Sequence, residues 1–451
     1  MAAGGGDGYV ARVGQQLTGG WQGPSDSQLG ALAQLLRARS AESTALVAWL
    51  REDASSQGWL GRLTGPEAQR PQQRLPWPYD TFAALHMQVL GALARGSPGD
   101  AYDNQEKLVM AFLHAMEEEE FVWSQAVMVA LYIDLRRLAV AADRHLKATG
   151  EKTKRCDQAA DKLRQGFSKV SNDKGKDLSV SKKWSALHLV NQIFKLLFSI
   201  NQLSVGLKNL QRWVDSPLCP NHSRPLEQRG FPKSQVVTYQ YYSGRLALYE
   251  DDFETASRCL EWAFAHCHVS ATKNKQAILR FLVPVQLLVG RLPSPALLHK
   301  HGLAAEYEDV VSAVRDGNVQ QFEIAMAEQY ERFIQDGVYL VLEKLRTVII
   351  RNLVKKIHLL APAPAHQLKL SMLASTMHAM GQSGAASGTG AGEGEGEGEA
   401  MDLDELECTL ANLIYSGYAK GYIAHEKRVL VLSKASPFPT ARLAQPPRTV
   451  F

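Results

Sequence analysis

An all-α chain in two sections is what this sequence predicts: stacked helical hairpins, then three helices closed by a short strand hairpin. Three observations carry that prediction. From Tyr79 to about Trp213 apolar residues recur at helical spacing in segment after segment. Strand signals are almost absent in that stretch. After about Gly337 the pattern changes to three helices followed by two β-branched runs.

Residues 1–25 are glycine-rich, a composition typical of disordered chain. Two short helical patterns follow, Gln28–Arg37 and Glu42–Arg51, with Leu29, Leu32, Leu35 and Leu36 at helix spacing. Ser55–Pro78 carries four prolines and little periodicity, so it predicts a linker. Then Phe82, Leu85, Val89, Leu90 and Leu93 make one apolar face, and Leu108, Phe112, Leu113 and Met116 the next. Val127, Leu131, Ile133 and Leu135 make another. Lys182–Leu203 is apolar nearly all round, through Trp184, Leu187, Val190, Phe194, Leu197 and Phe198, which predicts a helix buried on most sides. Helices in series with short breaks suit a solenoid of stacked helix pairs.

Within Val236–Cys267 the small and large residues fall at the intervals of a tetratricopeptide (TPR)-like repeat. Gly244, Ala256, Leu260 and Ala263 occupy those positions, with the turn at Glu250–Phe253. An ordinary helical hairpin gives the same architecture. Pro284, inside the apolar Ile278–Val289 run, predicts a kink.

Beyond Gly337, Leu340–Leu360, Gln367–Met380 and Leu403–Tyr415 read as three helices, and Gly417 as the C-terminal cap of the third. Gly421–His425 and Arg428–Ser433 read as a hairpin turning at Glu426–Lys427. That order is the outline of a winged helix. Gly381–Ala400, GQSGAASGTGAGEGEGEGEA, cannot bury a core and predicts a flexible acidic surface loop. The domains expected are a poorly ordered segment 1–78, repeats 79–235, further helices 236–337, a winged helix 338–433 and a tail 434–451.

The bulk numbers suit such a protein. At 451 residues and 45% apolar content the chain supports two or three cores. A net charge of +4 is near neutral, so nucleic-acid affinity has to come from local patches. Cys156, Cys219, Cys259, Cys267 and Cys408 are scattered, without a C-x-x-C pair, and predict reduced thiols in the cytosol or nucleus. The start lacks a secretory pattern, and no run of ~18 uncharged apolar residues predicts a membrane span.

Particular strings carry a resemblance. They are Lys182–Lys195 (KKWSALHLVNQIFK), Val237–Arg245 (VTYQYYSGR), Ala263–His268 (AFAHCH), Lys273–Gly290 (KNKQAILRFLVPVQLLVG), Leu410–Tyr422 (LANLIYSGYAKGY) and Pro437–Pro439 (PFP). In this order, over roughly Tyr79 to Pro439, they resemble the PCI family, whose members include proteasome-lid, signalosome and translation-initiation subunits. The branch they are most similar to belongs to the nuclear transcription-and-export complex at the pore and is related to fungal signalosome subunit 12-like proteins. The N-terminal ~75 residues, the Pro-rich insert Pro217–Pro232 and the Gly-Glu tract depart from it.

The resemblance implies a non-catalytic scaffold in messenger RNA export, located in the nucleus at the pore and possessing no cofactor. It implies docking to a larger PCI-like scaffold protein through winged helices and binding of a small acidic, disordered subunit along the repeats. It also implies non-specific RNA or DNA binding, with no membrane and no small-molecule substrate. A signalosome- or lid-type role in ubiquitin-linked turnover is the alternative.

Candidate residues follow from charge. Lys344, Arg351 and Lys355, at i, i+7 and i+11 of one helix, fall within about 20° of a line, flanked by Arg346 and Lys356. The hairpin adds Lys420, Lys427, Arg428 and Lys434. Such charges suit phosphate; a solvated helix face has the same pattern. Asp402, Asp404, Glu405 and Glu407 open the third helix, suit its dipole and disfavour base readout. Arg245, Lys273, Lys275 and Arg280 form a second basic cluster, for the acidic partner or RNA, or ordinary surface.

Cys259, His266, Cys267 and His268 lie along one helix rather than at turn-forming zinc spacings, which predicts no metal. The phosphate-binding P-loop, the serine nucleophile elbow and the H-E-x-x-H zinc motif do not occur. The acids Glu117–Glu120 point around a helix instead of pairing.

Overall fold

A computed structural model describes residues 34–52, 78–118, 124–150, 154–174, 181–203, 206–361, 366–385 and 403–439. The glycine-rich start, the linker 55–77, Asp402, most of the Gly-Glu tract and the tail from 440 lie outside the described residues. The chain divides into two compact units, Met1–Tyr242 and Ser243–Phe451.

Among the described residues of the first unit the long helices are α1 (Ala41–Glu52), α2 (Tyr79–Ala94), α3 (Pro98–Glu118), α4 (Ser124–Thr149), α5 (Arg155–Ser171), α6 (Ala186–Ser199) and α7 (Gly206–Asp215). α8 (Lys233–Tyr249) begins there and runs past the boundary. From α2 to α6 each helix packs on the next, as a stacked array requires. The faces read from the sequence are mostly buried: Phe82, Leu90, Leu108, Phe112, Leu131 and Leu135 are all at most 1% exposed, whereas Leu85, Leu93 and Ile133 are only partly enclosed. α6 is buried on most sides, as expected, but part of what it buries is polar. His188, Asn191 and Gln192 are enclosed with its leucines, and the Asn191 amide donates to Gln235 O and Oε1, both at 2.9 Å.

The Pro-rich insert is an ordered loop organised around Arg229, 7% exposed. Its guanidinium donates to the carbonyls of Arg224 at 2.8 Å, His222 at 3.2 Å and Val214. A buried cation thereby satisfies backbone acceptors that the loop has no helix to satisfy.

The second unit opens with the TPR-like pair. α9 (Phe253–His266) starts at Asp252, whose carboxylate accepts from Thr255 N at 3.1 Å. A Cβ on Gly244 would stand 2.7 Å from Leu260 Cγ and 3.3 Å from the Ala256 carbonyl. The spacing read from the sequence is therefore a real close approach, with Leu260 filling the space a side chain would take. α10 (Thr272–Leu288) contains Pro284, which leaves the Arg280 carbonyl without its i+4 donor. The Tyr307 hydroxyl donates to that carbonyl at 3.0 Å.

α11 (Pro295–Lys300), α12 (Ala304–Asp316), α13 (Val319–Glu328), α14 (Tyr330–Asp336) and α15 (Tyr339–Glu343) lead into the C-terminal module. It comprises α16 (Leu345–Leu360), β1 (Gln367–Lys369), α17 (Leu370–Ala385), α18 (Leu403–Tyr415), β2 (Gly421–Ala424) and β3 (Val429–Leu432). This is a winged helix. Leu353, Val354, Leu368, Leu373, Leu410, Leu413, Leu430 and Leu432 share its core. Gly417, at φ 74, ends α18, and Tyr418 N closes the cap on Leu413 O at 3.0 Å.

Three expectations need correction here. The helix read over Leu340–Leu360 is broken at Lys344, whose ammonium pairs with Asp251 and lies 5.3 Å above the Phe253 ring. Gln367–Lys369 is a strand rather than the start of a helix, so the sheet has three antiparallel strands ordered β1-β3-β2. One buried side chain, Leu368, is too little for alternation to show. Gly381–Ala385 continues α17 instead of opening the loop. Among the described residues no helix is long and apolar enough to cross a membrane.

Two outcomes follow. Gly244→Ala should lower stability by about 1–3 kcal/mol, overpacking against Leu260 outweighing the gain in helix propensity; chemical denaturation checks this, and adding Leu260→Ala should make the effect of the alanine less unfavourable. In the first unit, burial lowers the pKa of His86 to about 3 and of His188 to about 4. Both lie below the unfolded value, so the unfolded chain takes up protons first as pH falls. Stability should be intact above pH 6.5 and fall progressively toward pH 4 in thermal scans, less steeply in His188→Gln.

Candidate nucleic-acid interface

The three residues expected to form a basic stripe do not share a surface. Lys344 is held by Asp251. Arg351 is only 8% exposed, because α16 turns that face toward the chain's C-terminal strap. Its guanidinium donates to the Pro439 carbonyl at 3.0 Å and to Asn352 Oδ1 at 3.1 Å, and lies 6.0 Å from the Phe438 ring. Burial lowers its pKa. Arg351 anchors a strap, and the reading of it as a phosphate contact is corrected. Lys355 alone of the three is exposed without an acidic partner among the described residues.

The flanking cations are mixed. Lys356 reaches the Asp316 carboxylate at 3.2 Å and its carbonyl at 3.1 Å. Arg346 stands 3.4 Å from Glu323. Both pairs are about half exposed and worth little, so either lysine or arginine can exchange its carboxylate for another anion.

On the wing, Arg428 occupies the left-handed region at φ 51 and its guanidinium pairs with Asp404 and, at 3.3 Å, with Glu407. His425 Nδ1 lies 2.9 Å from Glu407. The hydrogen bond and charge of Arg428 hold the Asp404 carboxyl below its ordinary range. Two of the acids at the start of α18, Asp404 and Glu407, thus share the single cation Arg428, while Glu405 stays exposed. Arg428 is therefore not a free cation. Lys420, Lys427 and Lys434 are exposed and carry no acidic partner among the described residues.

Sequence reasoning missed two aromatic side chains at this surface. Tyr415, at the end of α18, is 69% exposed, and Tyr422, on the edge strand β2, is 64% exposed. Lys420 lies between them in the chain, its backbone fixed by Lys420 N to Pro437 O and Ser433 N to Lys420 O, each 2.8 Å. The signal was present in the string YSGYAKGY, where two tyrosines fall outside the apolar period of α18.

The second basic cluster also separates. Arg280 is enclosed by Glu306 at 3.4 Å and Asp336 at 3.5 Å, both shared with Arg332. Arg245 lies 4.3 Å over the Phe281 ring and Lys275 4.7 Å over Phe264. Lys273 is exposed. Arg280 is therefore a cross-link within the helical stack, which corrects its reading as a docking cation.

His266 stacks on Trp262 with ring centroids 4.1 Å apart, and its Nδ1 donates to the Trp262 carbonyl at 2.9 Å. His268 pairs with Ser270 at 2.6 Å, and Cys259 and Cys267 are buried. Among the described residues no group of three or more such ligands converges.

Residues 326–434, which include the whole winged helix, match the family model of the PCI domain. PCI domain-containing protein 2 of Danio rerio is 37% identical over 84% of this chain and 88% of that protein. The chain belongs to the PCI domain-containing protein 2 family. Enhanced ethylene response protein 5 of Arabidopsis thaliana is 34% identical over 80% of this chain and 81% of its own length. Protein CSN12 homolog of Mycosarcoma maydis is 32% identical over 76% of each. By family the chain is a PCI-type scaffold protein, and helical repeats leading to a winged helix are the build observed.

Replacing Arg351 by Ala should release the strap. A charge-assisted bond and its ring contact are lost together, a cost of about 1.5–3 kcal/mol. Thermal denaturation combined with limited proteolysis should register a lower midpoint and faster cleavage near Pro437–Pro439. Arg351→Lys should restore little of it, because an ammonium cannot bond both acceptors in the plane of a guanidinium.

Proposed function

We propose that this chain is a non-catalytic scaffold subunit of a nuclear, pore-associated, transcription-coupled messenger RNA export complex. In this reading residues 79–235 and 236–337 supply helical repeats that hold a small acidic disordered subunit. Residues 338–433 dock a larger PCI-like scaffold protein and contact RNA or DNA without sequence preference.

The observation that carries the nucleic-acid part is the joint exposure of unpaired lysines and tyrosines on the winged helix. Lys355, Lys420, Lys427 and Lys434 supply phosphate contacts. Tyr415 and Tyr422 supply faces on which bases can stack. With Arg428 shared between Asp404 and Glu407, part of the negative charge at the start of α18 is offset, so it repels a phosphate backbone less than its sequence suggests. Docking has its own support: among the described residues β2 is paired on one side only, by β3, so its outer edge can accept a strand.

A signalosome-type assembly is the second reading, favoured by the Mycosarcoma maydis relative, a CSN12 homolog. Affinity purification separates the two: export and pore factors support the first, signalosome or lid subunits the second.

Lys355→Glu, Lys420→Glu and Lys427→Glu combined should weaken RNA binding similarly for unrelated sequences. Three phosphate contacts predict a loss of about 2 in the slope of log affinity against log salt. Filter binding at several salt concentrations measures it, and unchanged affinity at low salt removes the nucleic-acid role.

A further inference from the structure

The first unit contains a concentration of positive charge that the reading above does not use. Arg136 and Arg137 on α4 and Lys195 on α6 lie on packed helices, all three only partly exposed. Arg136 Nε donates to Gln192 Oε1 at 2.9 Å, which aligns the guanidinium beside α6. Its two terminal nitrogens, the Arg137 guanidinium and the Lys195 ammonium have no acceptor among the described residues.

The acid in the field of the arginines is Asp134, 2% exposed, which Arg37 and Arg39 also approach and whose carboxylate accepts from Ala38 N at 2.7 Å. Half-buried like charges without paired acids are costly to fold, so such a cluster is stabilised by an anion it receives. Tyr242 lies near Arg136, and the Phe194 and Phe198 rings stand 6.1 and 5.2 Å from the Tyr242 ring.

Space is available beside it. One turn further along the same stripes of α4 and α6, at Val140, Arg144 and Ser199, a cleft of about 270 Å³ opens. The acids in that cleft, Asp143 and Asp157, are equalled in number by Arg144 and Lys147 of the same lining and are hydrogen-bonded at its wall. Asp143 accepts from Arg155 N and Cys156 N at 3.1 and 3.0 Å, and Asp157 from Gln202 at 3.2 Å.

We propose that Arg136, Arg137 and Lys195 form a binding site for a phosphoryl group, with the adjoining cleft taking what the group is attached to. Arg136, Arg137 and Lys195 outnumber the single carboxylate of Asp134, which Arg37 and Arg39 also approach, and this positive excess suits a dianionic phosphoryl monoester better than a lone carboxylate. Guanidinium forks suit its tetrahedral oxygens. The Lys195 ammonium, whose pKa is lowered to about 8 by burial and by Arg136 and Arg137, would recover its charge fully when the anion arrives.

The experiment is calorimetry and thermal denaturation of the full chain in chloride buffer at pH 7. Probes are inorganic phosphate, phenyl phosphate, acetate and a glutamate-rich peptide, all at matched ionic strength. The expected result is a rise in midpoint with either phosphate and none beyond chloride with acetate or the acidic peptide. Arg137→Gln and Lys195→Met should each weaken phosphate binding at least tenfold. Lys195→Met should raise the midpoint in phosphate-free buffer, since it removes one crowded like charge and keeps the stem.

Tighter binding of phenyl phosphate assigns the site to an ester, and tighter binding of inorganic phosphate to the free ion; both support it. Absence of a phosphate-specific shift, an equal shift from the acidic peptide, or undiminished phosphate binding in both variants would overturn it.

Discussion

Between α8 and α9 there is no room for a side chain on Gly244, and Leu260 fills the space that glycine leaves. That contact is one case of the constraint under which the whole helical part is built. A helix in a stacked array buries its apolar face only against its neighbours, so each interface has to close through its own small and large residues. Phe82 against Phe112 in the first unit, with centroids 6.0 Å apart, meets the same requirement with large residues on both sides. Polar groups trapped by such stacking need partners from the chain, and the Tyr307 hydroxyl on the Arg280 carbonyl is the clearest example.

The winged helix solves a different problem. Its sheet is too small to stand alone, and β3 joins a strand that precedes α17 to one that follows α18. Leu368, Leu430 and Leu432 turn their side chains inward to the helices. The Pro437–Pro439 strap then covers α16, held by Arg351 and by Lys420 N. This arrangement decides which cations face water. Charges near the strap or opposite acids become internal links, while lysines on the wing and the outer side of α16 remain for partners.

Electrostatics therefore play opposite parts at different places in the fold. In the C-terminal module and in the Arg280, Glu306, Arg332 and Asp336 group, cations meet acids and tie elements together. Around Arg136 and Lys195 cations meet one another beside aromatic rings. The first arrangement completes itself; the second calls for an anion from outside.

Periodicity, turn residues and order along the chain were enough to establish helical repeats, the TPR-like hairpin, the cap at Gly417 and a terminal winged helix, because these depend on local backbone preference and on which face is apolar. The site was less legible. A helical wheel places Lys344, Arg351 and Lys355 on one line, yet it cannot say that the helix breaks at Lys344 or that a strap some ninety residues on covers Arg351. β1 escaped notice because a three-residue strand is defined by its partners, not its pattern. The polar stripe of α6 was read as apolar because Asn191 and Gln192 are satisfied by distant residues, Gln235 and Arg136. Helix identity is a property of neighbouring residues and shows in sequence; burial, pairing and the freedom of a charge arise from segments far apart in the chain, and only their packing decides them.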